Sequence, residues 1–309
     1  YYSNRKNLQL GFNRLSILDL SKLGNQPIHS LDKQISMVFN GEIYNYREIK
    51  SLLSKLGISI QSSGDSAVLV NAFRYIGINE TLQKIDGMFS IGLFDHKIKS
   101  LYLIRDFSGI KPLHYGYSSD YVVFASQYDQ IAKHRSFVHN KIDSRVLKLY
   151  LSQHFIPAPY GILENTFQVE PGQVVSFNKF GEKISSLFWE FPKYSEQKIF
   201  NFNSGFKKID RALTHSVRSE LMSDVPICSF LSGGIDSALI SFYANKEMEV
   251  PLRAITIGSS SSKYDESSDA RKYGRLIGVQ HTIKQMTAND ANNLLDDIGK
   301  SMREPFADF

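Results

Sequence analysis

The spacing of apolar residues changes character about two thirds of the way along the chain. Before residue 187 the apolar runs are short, and 35–39, 89–94, 100–104 and 121–125 each read as a strand bounded by turns. Helix-compatible stretches lie between them: 67–75 is one, and 143–153 is another, with Asp143 placed as its cap. Residues 187–205 contain Trp189, Pro192 and several polar residues without a period, and read as a linker. From 206 the pattern alternates. An amphipathic helix over 206–222 precedes a nearly continuous apolar run, 225–231, as expected of a strand covered on both faces. A helix over 236–246, a strand over 252–257, a polar loop and a helix from Asp265-Glu266 to Gly278 follow. Strand-helix alternation predicts a doubly wound parallel α/β sheet with ligands at the C-terminal strand ends. The chain therefore divides into 1–186, the linker, and 206–309.

Composition agrees with two soluble domains: 309 residues, 42% hydrophobic and 22% charged. No apolar run approaches the roughly eighteen residues of a membrane span. The net charge of +5 is spread among acids, as over 211–220, so neither nucleic acid nor membrane is expected as a partner. None of the eight histidines shows metal-ligand spacing, and His114, His154 and His281 read as structural or surface residues. One cysteine excludes a disulfide framework and points to a reducing, cytoplasmic setting. That residue, Cys228, lies within the 225–231 run with nothing basic beside it, and is expected to be a buried core residue. No signal peptide is visible.

Chemistry concentrates first at 229–237, Ser-Phe-Leu-Ser-Gly-Gly-Ile-Asp-Ser, between the apolar run and the helix. Gly233 and Gly234 lack a Cβ, so backbone N–H groups can close on an anion where a helix dipole favours negative charge. Ser232 and Ser237 can add hydroxyls, and Asp236 is placed to hold Mg2+ against phosphate oxygens. The blander alternative is an ordinary Gly-Gly turn. The segment resembles the SGGxDS pyrophosphate loop of ATP pyrophosphatases. It lacks the lysine of GxxxxGK[ST], so adenylation is implied in place of γ-phosphoryl transfer.

A second set lies upstream: Arg14 in Asn-Arg-Leu-Ser-Ile, Asn40-Gly41-Glu42-Ile43-Tyr44-Asn45, and Asp65 in Ser-Gly-Asp-Ser. An amino acid needs a bidentate cation for its carboxylate, which Arg14 suits, and acids for its ammonium, which Glu42 and Asp65 suit. Each has a plainer reading. Arg14 alone is a surface arginine, Asn40-Gly41 alone is a hairpin turn, and Asp65 alone caps the following helix.

In order, these motifs resemble the glutamine pocket of amidotransferases with an N-terminal nucleophile. With the downstream loop, the chain resembles the glutamine-hydrolysing asparagine synthetase family over nearly its whole length. Supporting segments include Asp86-Gly87-Met88-Phe89, Arg105-Asp106 through Leu113, Phe124-Ala125-Ser126-Gln127 and Glu170-Pro171-Gly172-Gln173. The Arg105–Leu113 stretch could equally be a structural turn. The resemblance implies an αββα glutaminase sandwich followed by an ATP pyrophosphatase domain. It implies glutamine binding by Arg14, Asn40, Gly41, Glu42 and Asp65, with the Asn40 side chain and Gly41 N–H as the oxyanion hole. ATP would meet Leu231, Ser232, Gly233, Gly234, Asp236 and Ser237, and its adenosine the backbone of Ile257 and Gly258. A carboxylate, aspartate in the asparagine synthetases, would be adenylated and captured by ammonia travelling internally. ATP and Mg2+ are the implied cofactors. A homodimer is compatible with the resemblance, which leaves the oligomeric state open.

The departures are equally plain. The family's nucleophile is a mature N-terminal cysteine, whereas this chain begins Tyr1-Tyr2-Ser3, as an internal fragment would. At the other end Ser-Met-Arg303-Glu-Pro-Phe-Ala-Asp stands where the family has DEPFAD, with Arg303 in an acidic position. Two alternatives stay open: amidation of another carboxylate, on a sugar or a peptide, and a non-catalytic module on a degenerate amidotransferase fold. A tRNA-modifying enzyme is a further rival, which the glutamine pocket argues against.

Overall fold

A computed structural model describes residues 2–5, 8–14, 19, 21–119, 121–193, 201–261, 263 and 265–306. The chain divides into two compact units, Tyr1–Pro192 with Gly299–Phe309, and Lys193–Ile298.

The first unit begins with the hairpin β1 (Tyr2–Arg5) and β2 (Leu8–Gly11), then β3 (Ile28–His29) and β4 (Ile35–Ile43). The helices α1 (Tyr46–Lys55), α2 (Asp65–Tyr75) and α3 (Ile78–Leu82) lead to β5 (Gly87–Asp95), β6 (Ser100–Arg105), β7 (His114–Tyr117) and β8 (Val122–Ala125). After α4 (Tyr128–Ala132) and α5 (Ser144–Gln153) come β9 (Thr166–Gln168), β10 (Gln173–Phe177) and β11 (Lys183–Leu187). Asp143 caps α5 by accepting the Arg145 N–H at 2.9 Å, as its position before the helix predicts.

A six-stranded antiparallel sheet has the order β11-β10-β6-β5-β4-β3, and a three-stranded one the order β8-β7-β9. Leu103 of β6, Tyr115 of β7 and Val175 and Phe177 of β10 join the two sheets in one apolar core. On its other side the larger sheet is covered by α2, buried from Asp65 to Phe73 because its apolar residues run all round it, with α1 against α2. The helix α4 packs on β7 and β8. The order of layers is helix, sheet, sheet, helix. His114 is buried on β7 with its ring edge-on to Tyr128, and burial pushes its pKa down to about 4, with the Arg105 charge adding to the effect. It is a neutral core residue.

The second unit contains α6 (Phe202–Glu220), β12 (Cys228–Phe230), α7 (Ile235–Glu247), β13 (Arg253–Ser259), α8 (Ser267–Ile277), β14 (Gln280–Met286) and α9 (Ala288–Met302), which runs past the division at Ile298. The predicted parallel sheet is present, but its order is β12-β13-β14. Both crossovers run in the same direction, which under the general right-handed rule puts α7 and α8 on one face, and the two helices touch each other. Burial along β13 agrees: Ala254, Thr256 and Gly258 face the helices, while Arg253 and Ile257 are exposed. Among the described residues the sheet is wound one way, not doubly.

The same asymmetry corrects the reading of Cys228 as a core residue. It is exposed, as is Phe230 two positions along the same face of an edge strand, because among the described residues α7 and α8 lie on the opposite face. Of the 225–231 run only Cys228–Phe230 forms a strand, and among the described residues it is covered on one face. Leu231, at its end, is buried against Ala238, Ala254 and Ala270. Much of the predicted linker, residues 194–200, lies outside the described residues.

Candidate functional site

The Asn-Gly pair at 40 and 41 is not a hairpin turn. Both residues lie within β4, in register with Ser90 and Phe89 of β5. A Cβ on Gly41 would stand 2.1 Å from the Met88 carbonyl oxygen and 2.7 Å from the Phe89 Cα, so only glycine allows this approach. Side chains alternate along a strand, which puts Asn40 and Glu42 on one face. Just before them, the buried Gln26 side chain accepts the Phe39 N–H at 2.6 Å and donates to the Phe39 carbonyl at 2.9 Å. The short β3 has already ended here, and the Gln26 amide continues its ladder. The Asn40 amide donates to the Ser126 hydroxyl at 3.3 Å.

Asp65 opens α2, but the helix is capped by the extended Gly64, and the Asp65 carboxylate accepts the Ile43 N–H at the end of β4 instead, at 3.0 Å. Burial pushes the Asp65 carboxyl up; bonds from the Ile43 and Ser66 N–H groups and the Arg14 charge only partly offset this. Such a group gains most from an arriving cation. The Arg14 guanidinium is held by the carbonyl oxygens of Asp19 and Ser21, the latter at 2.8 Å, and by the Asn25 side chain at 3.3 Å. Gly24 makes room for it: a Cβ there would lie 2.8 Å from the guanidinium carbon.

These segments, distant in sequence, enclose a cavity of about 180 Å³ walled by Arg14, Asn40, Gly41, Glu42 and Asp65 together with Gly24, Gln26, Ser66 and Lys111. All five residues singled out upstream therefore meet in one place. Asn40 also stands in the wall of an adjoining cavity of about 640 Å³ with Ser126 and Gln127. Ser66 and Lys111 lie in the Ser-Gly-Asp-Ser and Arg105–Leu113 segments already singled out, whereas Gly24 and Gln26 were not anticipated from sequence.

In the second unit, the segment 231–237 joins β12 to α7 as the apolar run and helix predict. Leu231 anchors it, donating to the Ile255 carbonyl at 2.9 Å and accepting from the Thr256 hydroxyl at 2.5 Å. The Ser232 N–H donates to the Ser237 hydroxyl at 3.0 Å, the two hydroxyls lie 2.9 Å apart, and the Gly234 N–H donates to Ser232 Oγ at 3.1 Å. Neither Gly233 nor Gly234 is left-handed. What glycine contributes is an unshielded N–H, and that of Gly233 donates to a carboxylate, Glu266 Oε2, at 3.0 Å. A protein carboxylate thus occupies a donor that a phosphate oxygen could take. Ile257 and Gly258 do not end β13 but lie inside it, two residues and one residue before its last, Ser259. Their strand end neighbours that of β12, since the strands are parallel with Phe230 opposite Ile255.

Asp236 is exposed in the first turn of α7. Among the described residues no group of three His, Cys, Asp or Glu side chains could hold a metal by itself. One carboxylate beside an anion loop nevertheless suits Mg2+, which takes one or two carboxylates and completes its shell with phosphate oxygens and water.

A model of the glutamine amidotransferase domain matches residues 1–189. The chain belongs to the asparagine synthetase-like glutamine amidotransferase family. A model described as asparagine synthase matches residues 208–308. The chain is 31% identical over 310 residues to glutamine-hydrolysing asparagine synthetase 1 of Bacillus subtilis, covering 99% of this chain and 48% of that protein. It is 29% identical over 325 residues to a putative asparagine synthetase 2 of Methanocaldococcus jannaschii, covering 99% and 62%. A putative asparagine synthetase of Mycobacterium tuberculosis is 30% identical over 310 residues, covering 96% and 47%. The chain spans about half the length of two of these relatives, and somewhat more of the Methanocaldococcus protein.

Proposed function

We propose that the full-length protein is an ATP-dependent carbon-nitrogen ligase of the asparagine synthase type, converting aspartate to asparagine with ammonia from glutamine. Glutamine occupies the 180 Å³ cavity, its carboxylate on Arg14 and its ammonium between Glu42 and Asp65. The Asn40 side-chain amide and the Gly41 N–H stabilise the oxyanion of amide cleavage, each such donor being worth roughly a hundred- to a thousand-fold in rate. The attacking thiolate that this family route calls for is not Cys228, which sits on β12 of the other unit.

ATP lies on the 231–237 loop with its adenosine against the backbone of Ile257 and Gly258. The N–H groups of Gly233 and Gly234 and the hydroxyls of Ser232 and Ser237 hold the pyrophosphate. The aspartate carboxylate attacks the α-phosphorus, pyrophosphate leaves, and ammonia then displaces AMP from the acyl-adenylate. Mg2+, held in part by Asp236, neutralises charge on the phosphates when bound.

One observation carries this reading: Arg14, Asn40, Gly41, Glu42 and Asp65 converge on one cavity from three separate segments. The test supplies the full-length protein with ATP, glutamine labelled on its amide nitrogen, and a panel of carboxylic acids. Label in asparagine, with AMP and pyrophosphate formed in equal amounts, is the expected result. Label in the amide of another acid would move the acceptor, and ADP with phosphate would overturn the adenylate.

A further inference from the structure

Arg14 and Asp65 are far apart in the chain, yet a third carboxylate connects the segments that carry them. Asp19 is 6% exposed and is not part of the wall they share. One of its oxygens accepts the Ser21 N–H at 3.1 Å and the Ser21 hydroxyl at 2.5 Å; the other accepts the Ser62 hydroxyl at 2.7 Å. Ser62 Oγ in turn receives the Gly64 N–H at 3.0 Å, and Gly64 is the extended residue from which α2 and Asp65 start. On the other side, the carbonyl oxygens of Asp19 and Ser21 are two of the groups that orient the Arg14 guanidinium.

We propose that Asp19 is a positioning residue for the amino-acid site: its carboxylate ties the loop that aims Arg14 to the turn that presents Asp65. It thereby sets the separation between the cation that receives a ligand's carboxylate and the acid that receives its ammonium. The proposal rests on reading the cavity as the glutamine site. Asp19 is not itself a ligand, because both its oxygens are engaged by protein donors and it is buried behind the wall. Burial opposes its ionisation, but the bonds from Ser21 and Ser62, with the Arg14 charge adding to them, hold its carboxyl below the usual range. A carboxylate grips three donors more firmly than a neutral acceptor does. Without it the two loops lose their common tether, and small displacements of binding groups are costly.

The experiment uses the full-length protein and measures KM and kcat for glutamine hydrolysis beside asparagine synthesis supported by free ammonia. Asp19→Ala should raise KM for glutamine about tenfold or more, the size of effect seen when a supporting partner of a ligand group is lost. Ammonia-supported synthesis should stay unchanged, and Asp19→Asn, which keeps an acceptor for Ser21 and can donate to Ser62 Oγ, should recover most of the loss. Adding Asp19→Ala to Arg14→Ala should raise KM by less than the product of the two separate effects, because part of the loss of Asp19 acts through Arg14. If Arg14→Ala raises KM while Asp19→Ala leaves it within twofold, or if the two losses multiply, Asp19 is not the tether. If neither Arg14→Ala nor Asp65→Asn affects KM, the cavity is not the glutamine site and the failure lies in that reading. Should Asp19→Ala not fold, Ser62→Ala cuts the same link and is expected to raise KM without touching the ammonia reaction.

Discussion

Asp65 and Gly41 put two different physical demands on the proposed glutamine cavity. The Asp65 carboxyl is raised because burial disfavours its charge, and only N–H bonds and the Arg14 cation pull it back. In the proposed site a proton would therefore compete with the ligand's ammonium for this acid. The carboxylate is available above the raised pKa and lost as pH falls through it, so KM for glutamine should climb on acidification at a pH above the ordinary carboxylate range. Asp65→Asn should give a KM that is high and no longer varies with pH over that range. The sign for stability is the reverse: with its pKa raised in the folded state, Asp65 weakens the fold progressively as pH rises through that pKa. At Gly41 the constraint is steric. A methyl group would press on the backbone of β5, and no side-chain rotation relieves it. Gly41→Ala should cost about 1–3 kcal/mol, as overpacking does, lower Tm accordingly, and abolish glutamine hydrolysis by shifting the oxyanion donor.

At the scale of elements, the site depends on how strands are held beside one another. The strand β4 owes its position to β5 along its whole length, to the two-residue β3 at one end, and to the Gln26 side chain where β3 stops. The larger sheet is fixed in turn by its core with the smaller one, in which Leu103 is fully buried. Leu103→Ala should cost about 2–5 kcal/mol through lost burial and a residual cavity. Chemical denaturation would read it as a lower midpoint at unchanged slope. In the second unit, the 231–237 loop is tied down by Leu231 and by its own serine hydroxyls, so its shape is set before any ligand arrives.

For the whole molecule, the two compact units each hold one of the two proposed sites. Residues 299–306 group with the first unit, where Arg303, which replaces an acid of the resembling segment, forms an ion pair with Asp129 at 3.2 Å. The cavity of the first unit and the loop of the second have separate cores, so their functions should separate by mutation. Asp236→Ala is expected to abolish ATP turnover and leave glutamine hydrolysis by the full-length protein intact. Equal loss of both activities in steady-state assays would count against that division.

Local pattern by itself determined most element positions: β5, β6, α5, α7 and α8 lie close to where periodicity and caps predict them, because those signals act within a few residues. It also singled out Arg14, Asn40, Gly41, Glu42 and Asp65, whose residue types suit an amino acid's charges. Only tertiary structure decided what surrounds them. Asn40-Gly41, a turn signal in isolation, is extended because β5 supplies a ladder on which only glycine fits. Cys228 and Phe230, apolar and so expected inside, are exposed because strand order puts the helices on one face, and strand order is not written in any local run. Gln26, Asp19 and Ser62 escaped notice for the same reason: a buried polar side chain that bonds to a distant backbone or hydroxyl leaves no periodic trace, and its role exists only once the chain has brought the two ends together.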